Sequence, residues 1–299
     1  MKNSTLFPVK QLSVNTSFMY RRNFMKKRKW LAFIFALTLL APTLALTACK
    51  ENEEPVLPDD APPIEAPPLD NEQDEEEEEN GSVALPLPKT AQYIRCTGDS
   101  VNLRKGAGAS YSVVGRAKKG EIYAVIEKQD GWYKTYYRNQ TVYISASYTA
   151  LLSLEENVDE RVEAVIDEGY KLLGVPYVYG AVRLHDGKGN MLSNFSVQKF
   201  DCSSLVQYVF YKGAGKILQV TTRTQVKQGQ FVAKKDIQRG DCLFFTNESR
   251  QHLSGVERVG HVAIYLGDDY ILHTSSDYAR IEKMTASRWK FYIETRRFI

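Results

Sequence analysis

Hydrophobic and polar positions change rhythm four times along the chain. Residues 30–48 form a nearly unbroken apolar run, interrupted at Pro42, directly after Lys26-Lys27-Arg28-Lys29. Residues 50–90 then hold few apolar positions, and prolines alternate with acids. From about 91 to 152, short apolar alternations are punctuated by glycine. Ser100–Arg104, Glu121–Ile126, Gly131–Tyr137 and Thr141–Ile144 read as strands, with a loop over Lys105–Tyr111, Val113-Val114-Gly115 following it, and a turn at Lys119-Gly120. Short strands of this kind over about sixty residues predict a small all-β barrel.

From about 157 to 299 the rhythm is mixed. Val162, Val165, Ile166, Tyr170 and Leu173 fall at helical spacing with charges between them, which predicts a helix over 158–173, stopped by Gly174-Val175-Pro176. A polar loop is expected over 181–199. Phe200-Asp201-Cys202-Ser203-Ser204 then leads into Leu205–Phe210, which reads as a helix opening near the cysteine. Gly260–Gly267 and Tyr270–Thr274 read as two strands hairpinned about Gly267-Asp268-Asp269.

Charge divides the chain the same way. The net charge of +3 hides eight Lys/Arg and no acid in 1–49, and fourteen Asp/Glu and no base in 51–80. Residues 81–299 keep 30 bases against 22 acids. A basic globule suits anionic wall polymers or a membrane surface. It would also suit nucleic acid, but no nucleic-acid motif occurs. The basic start, apolar core and small residues up to Ala48 make a secretory signal, and the chain start is either Met1 or Met25. An uncleaved membrane helix is the competing reading. The run is barely long enough to span, and Pro42 breaks it. Residues 50–90 should form an acidic, self-repelling tether with a reach on the order of 100 Å.

The four cysteines, at 49, 96, 202 and 242, are too scattered for a disulfide framework or a short-spaced zinc site. One bridge between Cys96 and Cys242 is open on spacing, but they fall in different predicted modules and are expected to be small buried hydrophobes. Cys202 is different, because a helix start offers a positive dipole end and free N–H groups that lower a thiol pKa. A thiolate still needs a base, and the base an orienting partner. Four histidines are present. His185 and His252 lie in polar stretches and are expected to be solvated. His261 and His273 lie on the two hairpinned strands, which can set them side by side, so Cys202, His261 and His273 form a candidate nucleophile, base and orienter. A zinc site built from the same three residues is the alternative of a different class. Asp186-Gly187-Lys188-Gly189-Asn190 lacks the downstream carboxylate of a calcium loop and reads as a turn.

Three resemblances sharpen this reading. Leu46-Thr47-Ala48-Cys49 resembles the bacterial lipoprotein box, which implies a lipid on Cys49 and anchoring to a membrane outside the cytoplasm. The order Val-Asn-Leu-Arg, Gly-x-Gly, Val-x-Gly, Lys-Gly, Gly-Trp-Tyr-Lys in 91–152 resembles the bacterial Src-homology-3 domain, which implies binding of wall peptide or shaping of a neighbouring site. There Trp132 is expected in the core, and Tyr111, in the glycine-bearing loop, is the candidate ligand contact.

Gly-x-Pro-Tyr-x-Tyr-Gly, Phe-Asp-Cys-Ser-Ser-Leu, Arg239-Gly240-Asp241-x-Leu-Phe-Phe and Gly-His-Val-x-Ile-Tyr-Leu-Gly occur in the order seen in NlpC-type cell-wall peptidases. That resemblance, over 157–299, implies a papain-like α+β fold behind the small all-β barrel. It implies Cys202 as nucleophile, His261 as base and acid, and His273 as orienter. Tyr177 and Asp201 match positions that line the substrate cleft, and Ser203 and Tyr179 of the same motifs join the candidate substrate-binding set. The backbone N–H of Cys202 would help hold an oxyanion. Tyr179, Ala181, Ser204 and Cys242 depart from the usual pattern, and 181–199 and 247–258 are long enough to narrow a cleft.

The implied activity is cleavage between γ-D-glutamyl and a diamino acid in the wall stem peptide, with Asp201 holding a free amine of L-Ala. No cofactor is implied, and a monomer is expected. A catalytically silent wall-binding lipoprotein is the runner-up.

Overall fold

The computed structural model describes residues 89–299. The signal, Cys49 and the tether lie outside the described residues. The first module comprises β1 (Thr90–Cys96), β2 (Val101–Arg104), β3 (Val113–Ala117), β4 (Ile122–Ala124), β5 (Glu127–Gln129), β6 (Trp132–Tyr137), β7 (Gln140–Ser145) and β8 (Thr149–Glu155). The second comprises α1 (Glu160–Lys171), α2 (Cys202–Ala214), α3 (Thr222–Gln225), β9 (Gln230–Val232), β10 (Cys242–Phe245), β11 (His261–Gly267), β12 (Tyr270–Ser275), β13 (Tyr278–Lys283), α4 (Ala286–Lys290) and β14 (Tyr292–Arg297).

The strands form two sheets. One runs β3-β2-β7-β6-β5. The other, of nine strands, runs β8-β1-β4-β13-β12-β11-β10-β14-β9 and crosses from one module into the other where Ile281 pairs Ile122. The strand expected over 121–126 ends at Ala124, and a separate strand, β5, begins at Glu127. Val125 N–H donates to Gln92 and Ile126 N–H to Lys134, so the chain changes sheets between these residues and turns a barrel corner.

β1 and β8, which the pattern did not predict, pair along their whole length from Thr90↔Glu155 to Cys96↔Thr149. Trp132 is half-buried and does not enter the core. Tyr133 and Thr135 take the inward positions of β6, and the period of two turns Trp132 outward into a cleft shared with Tyr148 and Arg104.

α1 begins where Asp159 accepts from Arg161 N–H as N-cap. Its expected inner positions, Val162, Val165, Ile166 and Tyr170, are all buried, as is Leu173 just beyond it. The helix packs against α2, and α2 against β11 and β12. The β6–β7 turn closes its C-terminal end. Arg138 and Asn139, both at positive φ, donate their backbone N–H groups to Leu173 and Lys171 carbonyls. The Lys171 carbonyl is one of those a helix end leaves without partners. Gly174 follows at φ +81°, where a Cβ would sit 2.3 Å from the Tyr137 ring, so the two modules meet there at glycine distance.

Arg239, at the next contact, is buried. It donates to both carboxylate oxygens of Glu163, to the hydroxyls of Tyr93 and Tyr170 and to the Leu266 carbonyl. Gly240 beside it has φ +93°, and an added Cβ would lie 2.2 Å from Val162 Cγ1. Gly240→Ala is expected to cost about 1–3 kcal/mol from the backbone conformation alone. A thermal melt unchanged from wild type would contradict this.

The loop over 181–199 is not a solvated polar loop. Phe195 packs on Phe200 and Tyr208, Ala181 is buried, and Leu184 and Val197 pack against the core. These apolar positions give the loop an inner face that lies on α2. His185, expected in solvent, is fully buried. Its ring packs on Tyr211, Nδ1 accepts from Gly187 N–H, and burial lowers its pKa. His252 is exposed. Asp186 closes the expected turn by accepting from Lys188 and Asn190 backbone N–H groups. Cys96 and Cys242 are free thiols, both buried.

Candidate active site

The site forms where the start of α2 meets the β11–β12 hairpin. Asp201 is the N-cap of α2, extended at φ −98° and ψ 175°. Its carboxylate accepts from Ser204 N–H, and Ser204 Oγ accepts in return from Asp201 N–H, completing a capping box. Ser204, a departure at a position often held by glycine, therefore anchors the helix start. Cys202 is the first helical residue. It is 8% exposed, and its backbone N–H is one of the four a helix start leaves without intrahelical partners.

Two histidines come together on the hairpin against which α2 packs. Ile264 pairs Leu272, and continuing that register sets His261 diagonally to His273 on one sheet face. His261 Nε2 lies 2.9 Å from His273 Nδ1, with the rings near perpendicular. His273 is fully buried, and its Nε2 lies 3.3 Å from Glu282 Oε1 on β13. Glu282 in turn is held by Arg280 at 2.8 Å and by Arg288 of α4 at 2.5 Å. The Phe245 ring closes the other side of His261 at 5.9 Å.

The helix start was expected to lower the Cys202 pKa. Burial outweighs it and, with the neighbouring Asp201 charge, pushes the thiol up to about 12, against the backbone N–H groups of Val262 and Ser203 and the Arg183 charge. Burial also carries His261 well below the ordinary imidazole value, aided by His273 and Arg288. It lowers His273 too, while Glu282 opposes the shift. Neutral thiol and neutral imidazole therefore share the resting site.

A pH profile follows. Both histidine pKa values are lowered, so the base is neutral and competent at neutral pH and is lost only as pH falls through the shifted value. The acid limb of kcat/KM is expected below the free imidazole value of about 6.5. A midpoint above 7, measured by initial rates across pH, would contradict this.

A cleft of about 540 Å³ opens on His261, lined also by Tyr177, Phe245, Asn247, Glu248, Ser275 and Arg288. The stretch 247–258 thus borders it through Asn247 and Glu248. Tyr177 is half-buried and held by its backbone bond to Asp277 and its isolated bridge to Phe200. Burial and the nearby Cys202 push its pKa up to about 12.

The remaining candidates fall elsewhere. Tyr179 is 84% exposed. Ser203 is buried, and its hydroxyl donates to Asp201. Asp201 accepts from Ser204 N–H and Ser203 Oγ on one oxygen, and from Gly180 N–H and Arg183 on the other. Those four contacts match the capacity of a carboxylate, so none of it remains for a substrate amine. Tyr111 is exposed on the loop between β2 and β3 and is not among the residues that line the cleft. Gln225, for which the chain order suggested no role, donates to the Ser203 and Gln219 carbonyls and braces the first turn of α2.

Three residues of the site escaped the sequence reading: Glu282, Arg288 and Arg183. Only alternation along Tyr278–Lys283 hinted at Glu282, by giving β13 one polar face.

Residues 174–297 match the NlpC/P60 family model, and residues 99–150 match the bacterial SH3 domain model. The gamma-DL-glutamyl hydrolase of Bacillus subtilis is 32% identical over 127 residues, which cover 42% of this chain and 26% of that protein. The gamma-D-glutamyl-L-lysine dipeptidyl-peptidase of Bacillus subtilis is 27% identical over 55% of this chain and 48% of that protein. A solved NLP/P60 family protein from Staphylococcus aureus, described as similar to a lipoprotein, is 28% identical over 52% of this chain and 46% of that one, with a TM-score of 0.37. The chain spans about half or less of the length of the curated relatives it matches.

Proposed function

We propose that this chain is a cell-wall hydrolase, a cysteine peptidase that cuts an amide bond in the stem peptide of peptidoglycan. The observation that carries the reading is Cys202 at the first position of α2, the helix that packs on the two strands bearing the hydrogen-bonded His261–His273 pair, with His261 opening on a cleft. In this reading the catalytic module is papain-like. The Cys202 sulfur attacks the carbonyl carbon while its proton moves to His261. His261 then protonates the departing amine, and water releases the acyl group by the reverse path. The backbone N–H of Cys202 donates to the developing oxyanion.

The bond proposed is that between γ-D-glutamyl and the diamino acid, a reading supported by the similarity to the gamma-D-glutamyl-L-lysine dipeptidyl-peptidase of Bacillus subtilis. With Asp201 saturated, that residue demands no free amine on the substrate, so intact wall joins trimmed fragments as substrate. Export, a lipid on Cys49 and an acidic tether would hold the enzyme as a monomer near the wall, outside the cytoplasm.

The test is mass spectrometry of products. The full chain is incubated with L-Ala-γ-D-Glu-diamino-acid peptides and with whole peptidoglycan. Release of fragments ending in D-Glu supports the bond. Cleavage at another amide keeps the peptidase and moves the bond. Wall binding with no product supports the catalytically silent alternative.

A further inference from the structure

We propose that Glu282 is a positioning residue for the histidine pair, selecting the tautomer in which His261 can accept the Cys202 proton. This rests on the peptidase reading above, and it adds a group on β13 to the nucleophile, base and orienter.

The argument runs from hydrogen-bonding capacity. His273 Nε2 is completely buried and makes no well-formed hydrogen bond among the described residues, and Glu282 Oε1 at 3.3 Å is the acceptor within reach. Leaving such a buried polar atom unpaired is costly. Arg280 and Arg288 keep Glu282 ionised. Burial alone would raise its pKa, yet contacts with His273, Arg280 and Arg288 hold it well below the usual carboxylate range. An ionised carboxylate only accepts, so the His273 proton sits on Nε2. His273 Nδ1 must then accept, and the partner 2.9 Å away is His261 Nε2, which therefore carries the His261 proton. His261 Nδ1 is left with its lone pair as the base. The opposite His273 tautomer would donate into His261 Nε2, place the His261 proton on Nδ1 and remove the base.

Charge makes the same demand. When the thiol proton reaches His261 and the sulfur–carbon bond forms, His261 becomes an imidazolium. The charged groups around the pair are Arg280 and Glu282 on β13 and Arg288 on α4, with Asp201 behind Cys202 at the α2 start. Phe245 on β10 is apolar, and Glu248 lies across the cleft. Without Glu282, two guanidinium groups would face the forming cation uncompensated. Register places Arg280 directly opposite His273 and Glu282 opposite Ile271, so both project on the histidine face of the sheet.

Full-length chain carrying Glu282→Gln, Glu282→Asp or Arg288→Gln is assayed across pH in two ways. One is kcat/KM on the stem peptide. The other is the rate of Cys202 alkylation by iodoacetamide. Glu282→Gln is expected to lower kcat/KM on the order of 10- to 100-fold, the range for partners that orient a working histidine. Its acid limb should move to lower pH. Glu282→Asp keeps the charge and should keep the limb near that of wild type. Arg288→Gln removes a repelling cation and should move the limb the opposite way, to higher pH. A merely structural glutamate would lower the folded fraction and leave both limbs in place.

A wild-type rate and limb in Glu282→Gln would overturn the proposal, as would both substitutions shifting the limb in the same direction. If Glu282→Gln does not fold, the Asp and Arg288 variants decide by the same limbs. If no peptide is cut even by wild type, the substrate reading has failed, and the alkylation limbs still decide the role of Glu282.

Discussion

Cys202→Ala is expected to reduce kcat/KM on stem peptides by on the order of 10,000-fold or more, the range seen when a catalytic nucleophile is removed. The fold should survive. The change removes one sulfur atom from a side chain that is 8% exposed, a transfer loss of about 1 kcal/mol. The capping box of Asp201 and Ser204 remains to hold the α2 start. Binding of wall should remain as well, since the cleft walls are untouched. The measurement is paired: product formation by mass spectrometry and sedimentation with peptidoglycan. Residual hydrolysis above about one hundredth of the wild-type rate would move the nucleophile elsewhere. Cys96 and Cys242 offer no substitute, because both are buried on strands, β1 and β10, and neither opens a helix as Cys202 does.

Arg239→Met should produce the largest loss of stability of any single substitution considered. The guanidinium spans three parts of the fold at once. Glu163 and Tyr170 come from α1, Tyr93 from β1 and Leu266 from β11. Methionine fills part of the volume and supplies no donor. It leaves a carboxylate, two phenols and a carbonyl without their shared partner.

Breaking one side of a buried ion pair costs about 3–5 kcal/mol, far above the value of an exposed pair. For a chain of this size that corresponds to a fall of roughly 6–20 °C in Tm. Adding Glu163→Gln should restore part of the loss, because the stranded charge goes with it. A Tm within about 2 °C of wild type in the single variant would show that the network contributes little. Because Arg239 joins β1 to the catalytic helices, reduced activity at temperatures where the protein is still folded would show that the first module supports the site.

Much of this protein was legible one residue at a time. Apolar positions spaced at three and four residues placed α1, and the buried set was the expected one. Asp201 ahead of an apolar run marked a helix start, and that start set Cys202 at its first turn. Two glycine-bounded apolar runs about a Gly-Asp-Asp turn gave the hairpin that brings His261 to His273. Each signal is local, because helix spacing, capping and hairpin turns act among residues a few positions apart.

The misreadings share the opposite property. Trp132 turned outward because Tyr133 and Thr135 face the sheet interior, and which face is interior depends on the partner sheet. His185 was buried because Phe195, Leu184 and Val197 give its loop an apolar underside that α2 accepts. The thiol of Cys202 rose because the assembled fold removed water from it, and desolvation has no sequence period.

What the amino-acid order determined by itself is the set of elements and the chemistry each one presents: a cysteine on a helix start and two histidines on one hairpin. What only the tertiary structure decided is the union of the two modules through β4 and β13, the saturation of Asp201 by Arg183, and the placement of Glu282 behind His273. Those depend on distances between groups far apart in the chain, and burial, ionisation and hydrogen-bond direction are properties of such distances.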